Sequence, residues 1–368
     1  MRKFSTILLF FMLMLFVSAC RAQENLGDTY HFETDSQPYM FADLWGYSFA
    51  EGPDGYYYFS GGKMRFIDNK TMKDGLLCAK PNCTHEDETC NALIGIPTEN
   101  LHYYDGYLYA IVLQYDPRQM RSFFELQRIS LDGSSRKKIA DITWDEEKCE
   151  GTPVFHVVHR GKCYCVIQQN SGENGSDILL EIDLKTGKIK ELAQMKGIQS
   201  LKAMGNHLYW KRYEKDISIC QYDIASGELA VWENGRLLYS CKDRLLLATY
   251  DLQNKEYKLS WKDRAGNDLG ATSFQLKLGK NAFQADERYF YRYPYAGTDR
   301  TIDVYDVETL EQITVLEIPE EMSASIRCVV CPGEILILYT TDKATVYYAE
   351  VAAIGTPNFQ WHEVEKVN

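Results

Sequence analysis

Asp54-Gly-Tyr-Tyr-Tyr-Phe59, Asp105-Gly-Tyr-Leu-Tyr-Ala110 and Arg160-Gly-Lys-Cys-Tyr-Cys165 write one element three times, a turn followed by a short aromatic or aliphatic strand. The element returns as Gly205-Asn-His-Leu-Tyr-Trp210, Lys242-Asp-Arg-Leu-Leu-Leu247, Asp286-Glu-Arg-Tyr-Phe-Tyr291 and Pro332-Gly-Glu-Ile-Leu-Ile337. Seven copies run from about residue 55 to about residue 333, a mean spacing of about 46 residues. Gly and Asp tolerate positive φ, so the D-G and X-G dipeptides read as hairpin turns. Each copy is followed by a second alternating run and another turn. Phe124 to Leu131 precedes Asp132-Gly133, Ile178 to Leu184 precedes Lys185-Thr-Gly187, and Ile217 to Ile224 precedes Ala225-Ser-Gly227. Period-2 alternation of β-branched and aromatic residues is the pattern of strands.

A 40–50-residue repeat carrying four short strands is what one blade of a β-propeller requires. Helical periodicity is absent, which argues against helical arrays of similar period. The fold expected is therefore all-β, a seven-bladed β-propeller, with six or eight blades as the alternatives. The expected blades are 38–79, 98–145, 152–194, 198–233, 235–277, 280–318 and 324–366, with Tyr30 to Glu33 as a candidate extra closing strand. Aromatic residues make up 13% of the chain, 26 Tyr among them. Flat side chains fill the space between adjacent blades, so most of these Tyr are expected in the core.

Residues 1–19 read as a signal peptide. Arg2 and Lys3 form a basic start, and Ile7 to Val17 is an apolar run too short to span a bilayer comfortably. Val17-Ser18-Ala19-Cys20 has the small residues before a cysteine that match a bacterial lipobox. Cys20 is the expected lipidation site, 20–37 the expected lipid-anchored tether, and 38–368 a single propeller domain. The expected location is extracytoplasmic, on the cell membrane, with the membrane as a partner through the N-terminal lipid. The net charge of −12 becomes −14 once Arg2 and Lys3 are removed. That balance argues against a nucleic-acid partner, because a phosphate backbone demands a basic stripe.

The chemically unusual stretch is Cys78-Ala-Lys-Pro-Asn-Cys83-Thr-His85-Glu-Asp-Glu-Thr-Cys90-Asn-Ala, an insert at about 78–92 between the first two units. Three thiolates and an imidazole make a complete tetrahedral set for a structural zinc. Disulfides among Cys78, Cys83 and Cys90 are the rival reading, because export permits oxidation. Lipobox, tyrosine-rich repeats and the Leu77 to Ala92 string together resemble uncharacterised Firmicutes lipoproteins with a β-propeller domain of unknown function. Those are similar to receptor-type YWTD propellers. The resemblance implies a propeller at the cell surface and no established activity.

Cys163 and Cys165 share one strand face, where burial is the default for a small apolar residue. Cys328-Val-Val-Cys331 lacks the following helix that thioredoxin-type chemistry uses. G-x-S-x-G, H-E-x-x-H and Gly-rich phosphate loops are all missing. The expected function is a binding or scaffold module for a glycan, peptide or envelope partner. The alternative is a carbohydrate-active propeller enzyme, a lyase or glycoside hydrolase. Candidate ligand-binding residues are His102 and His156 on first strands, and Tyr115 and Arg118 near the Asp116 to Ser122 loop. Asn170 to Ser176 is a second candidate loop.

Overall fold

In the computed structural model the described residues are 27, 29–37, 49–87, 89–116, 118, 120–142, 151–169, 176–213, 217–234, 236–241, 244–251, 256–263, 265–274, 281–294, 300–322, 326–330, 334–340 and 345–367. They form a seven-bladed β-propeller with one short 3-10 turn, Val351–Ala353. Each blade is one antiparallel meander in chain order, from an inner strand near the axis to an outer strand at the rim. Blade 1 is Ala50–Gly52, Gly55–Ser60, Lys63–Asp68 and Lys73–Leu76. Blade 2 is Ile96–Tyr104, Tyr107–Asp116, Arg121–Ser130 and Arg136–Asp141. Blade 3 is Gly151–His159, Lys162–Gln169, Asp177–Asp183 and Ile189–Met195, and blade 4 is Ile198–Met204, His207–Tyr213, Ile217–Asp223 and Leu229–Asn234. Blade 5 is Arg236–Cys241, Arg244–Asp251, Glu256–Asp263 and Asp268–Phe274. Blade 6 is Asn281–Ala285, Tyr289–Pro294, Thr301–Asp306 and Gln312–Glu317, and blade 7 is Ile326–Val330, Ile335–Thr340, Val346–Glu350 and His362–Glu363.

The repeated element is the second strand of each blade. Its near-continuous apolar run has a direct cause, because both of its faces are buried. Alternate residues feed different junctions. Tyr57 packs toward blade 2, while Tyr56 and Tyr58 pack toward blade 7. Leu108, Ala110 and Val112 join the blade 1–2 core, and Tyr109 and Ile111 the blade 2–3 core. The same division recurs at Leu208 and Trp210 against Tyr209, and at Tyr291 against Phe290. Seven apolar clusters among the described residues thus correspond to seven junctions around the ring. A one-residue slip would exchange every pair of junctions, so register is strongly set. Cys163 and Cys165 are both fully buried in the blade 2–3 junction, where burial pushes their thiol pKa values up.

A second repeat lies in the turn between third and outer strands. A carboxylate accepts backbone N–H groups two and three residues on at Asp68, Asp183, Asp223 and Asp306. At Asp183, Gly187 follows at φ +72, and a Cβ there would meet the Ile139 carbonyl of the preceding blade at 2.3 Å. Only glycine allows that approach between blades.

Ring closure differs from the expected strand at Tyr30 to Glu33. Residues 32–34 form a turn instead. Closure comes from the other end, where Glu365–Lys366 adds a parallel fifth strand to the rim of blade 1, opposite Lys73 and Asp74. Val364 is buried beside it, and Phe49 stacks on Tyr58 (4.6 Å between ring centroids) with Tyr339 of blade 7 edge-on to both. The bounds of blades 2 to 7 lie within four residues of the expected ones, residues 38–48 of the expected first blade lie outside the described residues, and the insert falls between blades 1 and 2. Residues 1–26, with the expected signal peptide and the expected lipidation site Cys20, lie outside the described residues, as do Asn170 and residues 171–175. The described part of the expected tether packs on the propeller (below).

Candidate metal centre

Blade 1 ends at Leu76, and the chain then makes consecutive tight turns before entering blade 2. Cys83 N–H donates to the Lys80 carbonyl, Cys90 N–H to Asp87 and Leu93 N–H to Cys90. Pro81-Asn82 shapes the first turn, and Asn82 and His85 both take positive φ (58° and 59°). Asn and His enter this left-handed region more readily than most residues. The result brings all four expected ligands together. One donor atom from each of Cys78, Cys83, His85 and Cys90 lies within 4.8 Å of all the others. His85 Nδ1 is 3.3 Å from Cys90 Sγ. The three cysteines are unlinked thiols.

These distances fit a tetrahedral ion. Metal–sulfur bonds of about 2.3 Å and metal–nitrogen bonds of about 2.0 Å place neighbouring ligand atoms about 3.4–3.8 Å apart. Backbone N–H groups also point at two of the sulfurs. Cys78 accepts hydrogen bonds from the backbone at Lys80 and Asn91, and Cys90 from Ala92. For Cys78 burial acts to raise the pKa, but these donors outweigh it and hold the thiol below its ordinary value. Burial pushes Cys90 up. A Cys3His group of this kind can bind a metal such as zinc.

The cluster is anchored to the ring on both sides. Cys90, Ala92 and Ile94 are fully buried between blades 1 and 2. Met64 N–H donates to the Ala92 carbonyl, Asn91 Nδ2 to the Gly133 carbonyl (2.8 Å), and Arg136 to the Leu93 carbonyl. Met64 belongs to blade 1, Arg136 to blade 2, and Gly133 to the blade 2 turn.

The other expected site residues fall in two separate places. His102 and His156 do meet, with ring centroids 5.0 Å apart, on the inner strands of blades 2 and 3. Both are buried, and His102 Nε2 lies 3.1 Å from the His156 carbonyl. Burial lowers the His102 pKa to about 4 and carries His156 well below the ordinary value, with His102 adding to the latter. Tyr115 and Arg118 sit apart from them at the tip of the blade 2 hairpin, which pairs out to Asp116–Arg121. Tyr115 is exposed, as are Met120 at the tip and Ile96 beside Leu113 below it.

A polar lock holds residues 29–37 against the ring. Arg160 forms a bidentate pair with Asp35 (Nε–Oδ1 2.8 Å, Nη2–Oδ2 3.0 Å). Its other N–H groups reach the Gly27 and Thr29 carbonyls and Asn206 Oδ1. Ser36 N–H donates to His159 Nδ1 (3.1 Å), and His159 Nε2 donates to the Gly205 carbonyl (2.7 Å). Glu33 accepts from Tyr103, and Gln37 brackets the backbone of Glu51. These partners all sit at the end where inner strands turn into second strands. One sequence signal marks the lock, since Arg160 stands where the related turns have Asp54 or Asp105, at φ +49.

No family model matches the chain, and no curated protein matches it. Among solved structures it is similar to Hsv2 of Kluyveromyces lactis (TM-score 0.51, 8% identity, covering 84% of this chain and 93% of that one). It is likewise similar to an oligogalacturonate lyase from Vibrio parahaemolyticus (TM-score 0.51, 8% identity, 87% and 88%). The tricorn protease matches at a TM-score of 0.47 and 12% identity over 90% of this chain, which spans 35% of the protease. At these identities the likeness is one of fold, and the fold in common is the β-propeller.

Proposed function

We propose that the chain is a lipid-anchored, extracytoplasmic binding or scaffold module whose rim holds one structural zinc at Cys78, Cys83, His85 and Cys90. The observation that carries the binding reading is the polar lock. It fastens the N-terminal segment to one end of the propeller, so an anchor at Cys20 would approach from that end. Strands alternate direction, so the blade 2 hairpin tip with Tyr115, Arg118 and Met120 lies at the opposite end. That tip is free for a glycan or an envelope protein. Burial of His102 and His156 favours binding over turnover at those two imidazoles, because a substrate cannot reach them.

Four protein ligands leave no open position for water, which makes the metal structural rather than catalytic. It would fasten the crossing between blades 1 and 2. The functional test is a pull-down from envelope extract with a glycan array. A specific ligand lost in Tyr115→Ala with Arg118→Ala supports the reading. Turnover of an oligosaccharide would replace it with the enzyme reading. Membrane release of Cys20→Ala tests the anchor. Elemental analysis of the reduced protein is expected to find about one zinc per chain, and a reduced chain that takes up no zinc would reject the metal.

A further inference from the structure

We propose that the rim centre is a peroxide-sensitive clip, in which Cys78 and Cys83 are oxidised to a disulfide and the metal is released while the ring stays closed. The proposal rests on the metal reading above. Its basis is an asymmetry within the cluster. Cys90 is fully buried between blades 1 and 2, whereas Cys78, Cys83 and His85 are half-exposed at the rim. An oxidant from solvent therefore meets Cys78 and Cys83 first.

The geometry favours that pair as partners. Their sulfurs lie within 4.8 Å of each other, and a disulfide requires about 2.05 Å. The residues between them form a short turn closed by Cys83 N–H to the Lys80 carbonyl, so only a small loop has to adjust. The chemistry balances as a two-electron oxidation by a hydroperoxide. One thiolate attacks the peroxide oxygen; an S–O bond forms, the O–O bond breaks, and hydroxide leaves and is protonated to water. The second thiolate attacks the sulfenic sulfur; the S–S bond forms, the S–O bond breaks, and a second water leaves after protonation. The thiolates supply both electrons, and a d10 ion keeps its charge.

Only Cys90 and His85 then remain as ligands, half the tetrahedral set. The blade junction does not depend on the lost pair. Cys90 to Ile94 stays wedged, with Ala92 bonded to Met64 and Leu93 bonded to Arg136. Oxidation would free the outer loop without opening the ring.

The test starts from reduced full-length protein loaded with zinc in anaerobic buffer, its content fixed by elemental analysis. Hydrogen peroxide is added, zinc release is followed with a chromogenic chelator, and disulfides are mapped by mass spectrometry. Expected are one zinc released and one Cys78–Cys83 disulfide per chain, both reversed by dithiothreitol and zinc. Cys83→His keeps four ligands but removes the partner thiol, and its release is expected at least tenfold slower. No release at doses that oxidise free cysteine, a disulfide through Cys90, or equal release from Cys83→His would each overturn the proposal. A chain that binds no zinc sinks the metal reading with it, whereas one that loads and does not release sinks the clip alone.

Discussion

Lowering the pH from 7.5 to 5.0 is expected to loosen the N-terminal lock through His159. The ring is fully buried, accepts from Ser36 N–H at Nδ1, and donates to Gly205 from Nε2. Those two bonds require the neutral imidazole with its proton on Nε2, because a protonated Nδ1 would face another N–H. Burial is the main cause that lowers the folded pKa to about 4, with Arg160 adding to it. Asp35, 4.0 Å from Nδ1, and the Gly205 hydrogen bond oppose it only in part. An unfolded histidine titrates near 6.5. Between these values the unfolded chain binds the extra proton, so stability is present above about 6.5 and is lost as pH falls toward 4. At about 1.4 kcal/mol per pH unit the full loss is roughly 3 kcal/mol, of which about 2 kcal/mol is gone by pH 5. His102 titrates in the same window with the same sign. The assay is urea unfolding at pH 7.5, 6.0 and 5.0 for the wild type and for His159→Asn, which keeps an acceptor near Nδ1 and cannot take up the proton. The variant should be less stable at pH 7.5 and should lose about 2 kcal/mol less on acidification. Parallel pH slopes for the two proteins, or an NMR titration placing His159 near 6.5, would refute the reasoning.

Arg160→Met should leave the buried Asp35 carboxylate without its partner, at a cost of about 3–5 kcal/mol; limited proteolysis should then cleave within residues 27–37, and unchanged protection would contradict the lock. Deleting residues 364–368 should remove the rim strand on blade 1 and the buried Val364, lowering stability by at least about 2 kcal/mol; an unchanged melting temperature would show that the closing strand is dispensable. Trp210→Ala in the blade 3–4 junction should cost about 3–5 kcal/mol, whereas Tyr115→Ala at the exposed tip should change stability little; equal losses from both would contradict the assignment of core and tip.

The four-strand repeat was legible because both faces of every second strand are buried, which writes the same apolar hexapeptide seven times. The Cys3His group was legible for a different reason: its four residues lie within 13 residues, so local turns alone can gather them. The lock was not, because Asp35 and Arg160 are 125 residues apart and only the closed ring brings blades 1 to 4 under one segment. Ring closure by Glu365–Lys366 was hidden likewise, since two short polar-rich residues carry no strand signal without the blade 1 edge to receive them.

The sequence by itself therefore determined the blade architecture and the close grouping of Cys78, Cys83, His85 and Cys90, both of which depend on local periodicity and short-range turns. It also read the tyrosines correctly as packing between blades. Only the tertiary structure decided that His102 and His156 meet in a buried junction, that Tyr115 stands apart at an exposed tip, and that the N-terminal segment docks. Each of these depends on which blades become neighbours in space, and a repeat that specifies every blade alike does not say what the ring will bring together.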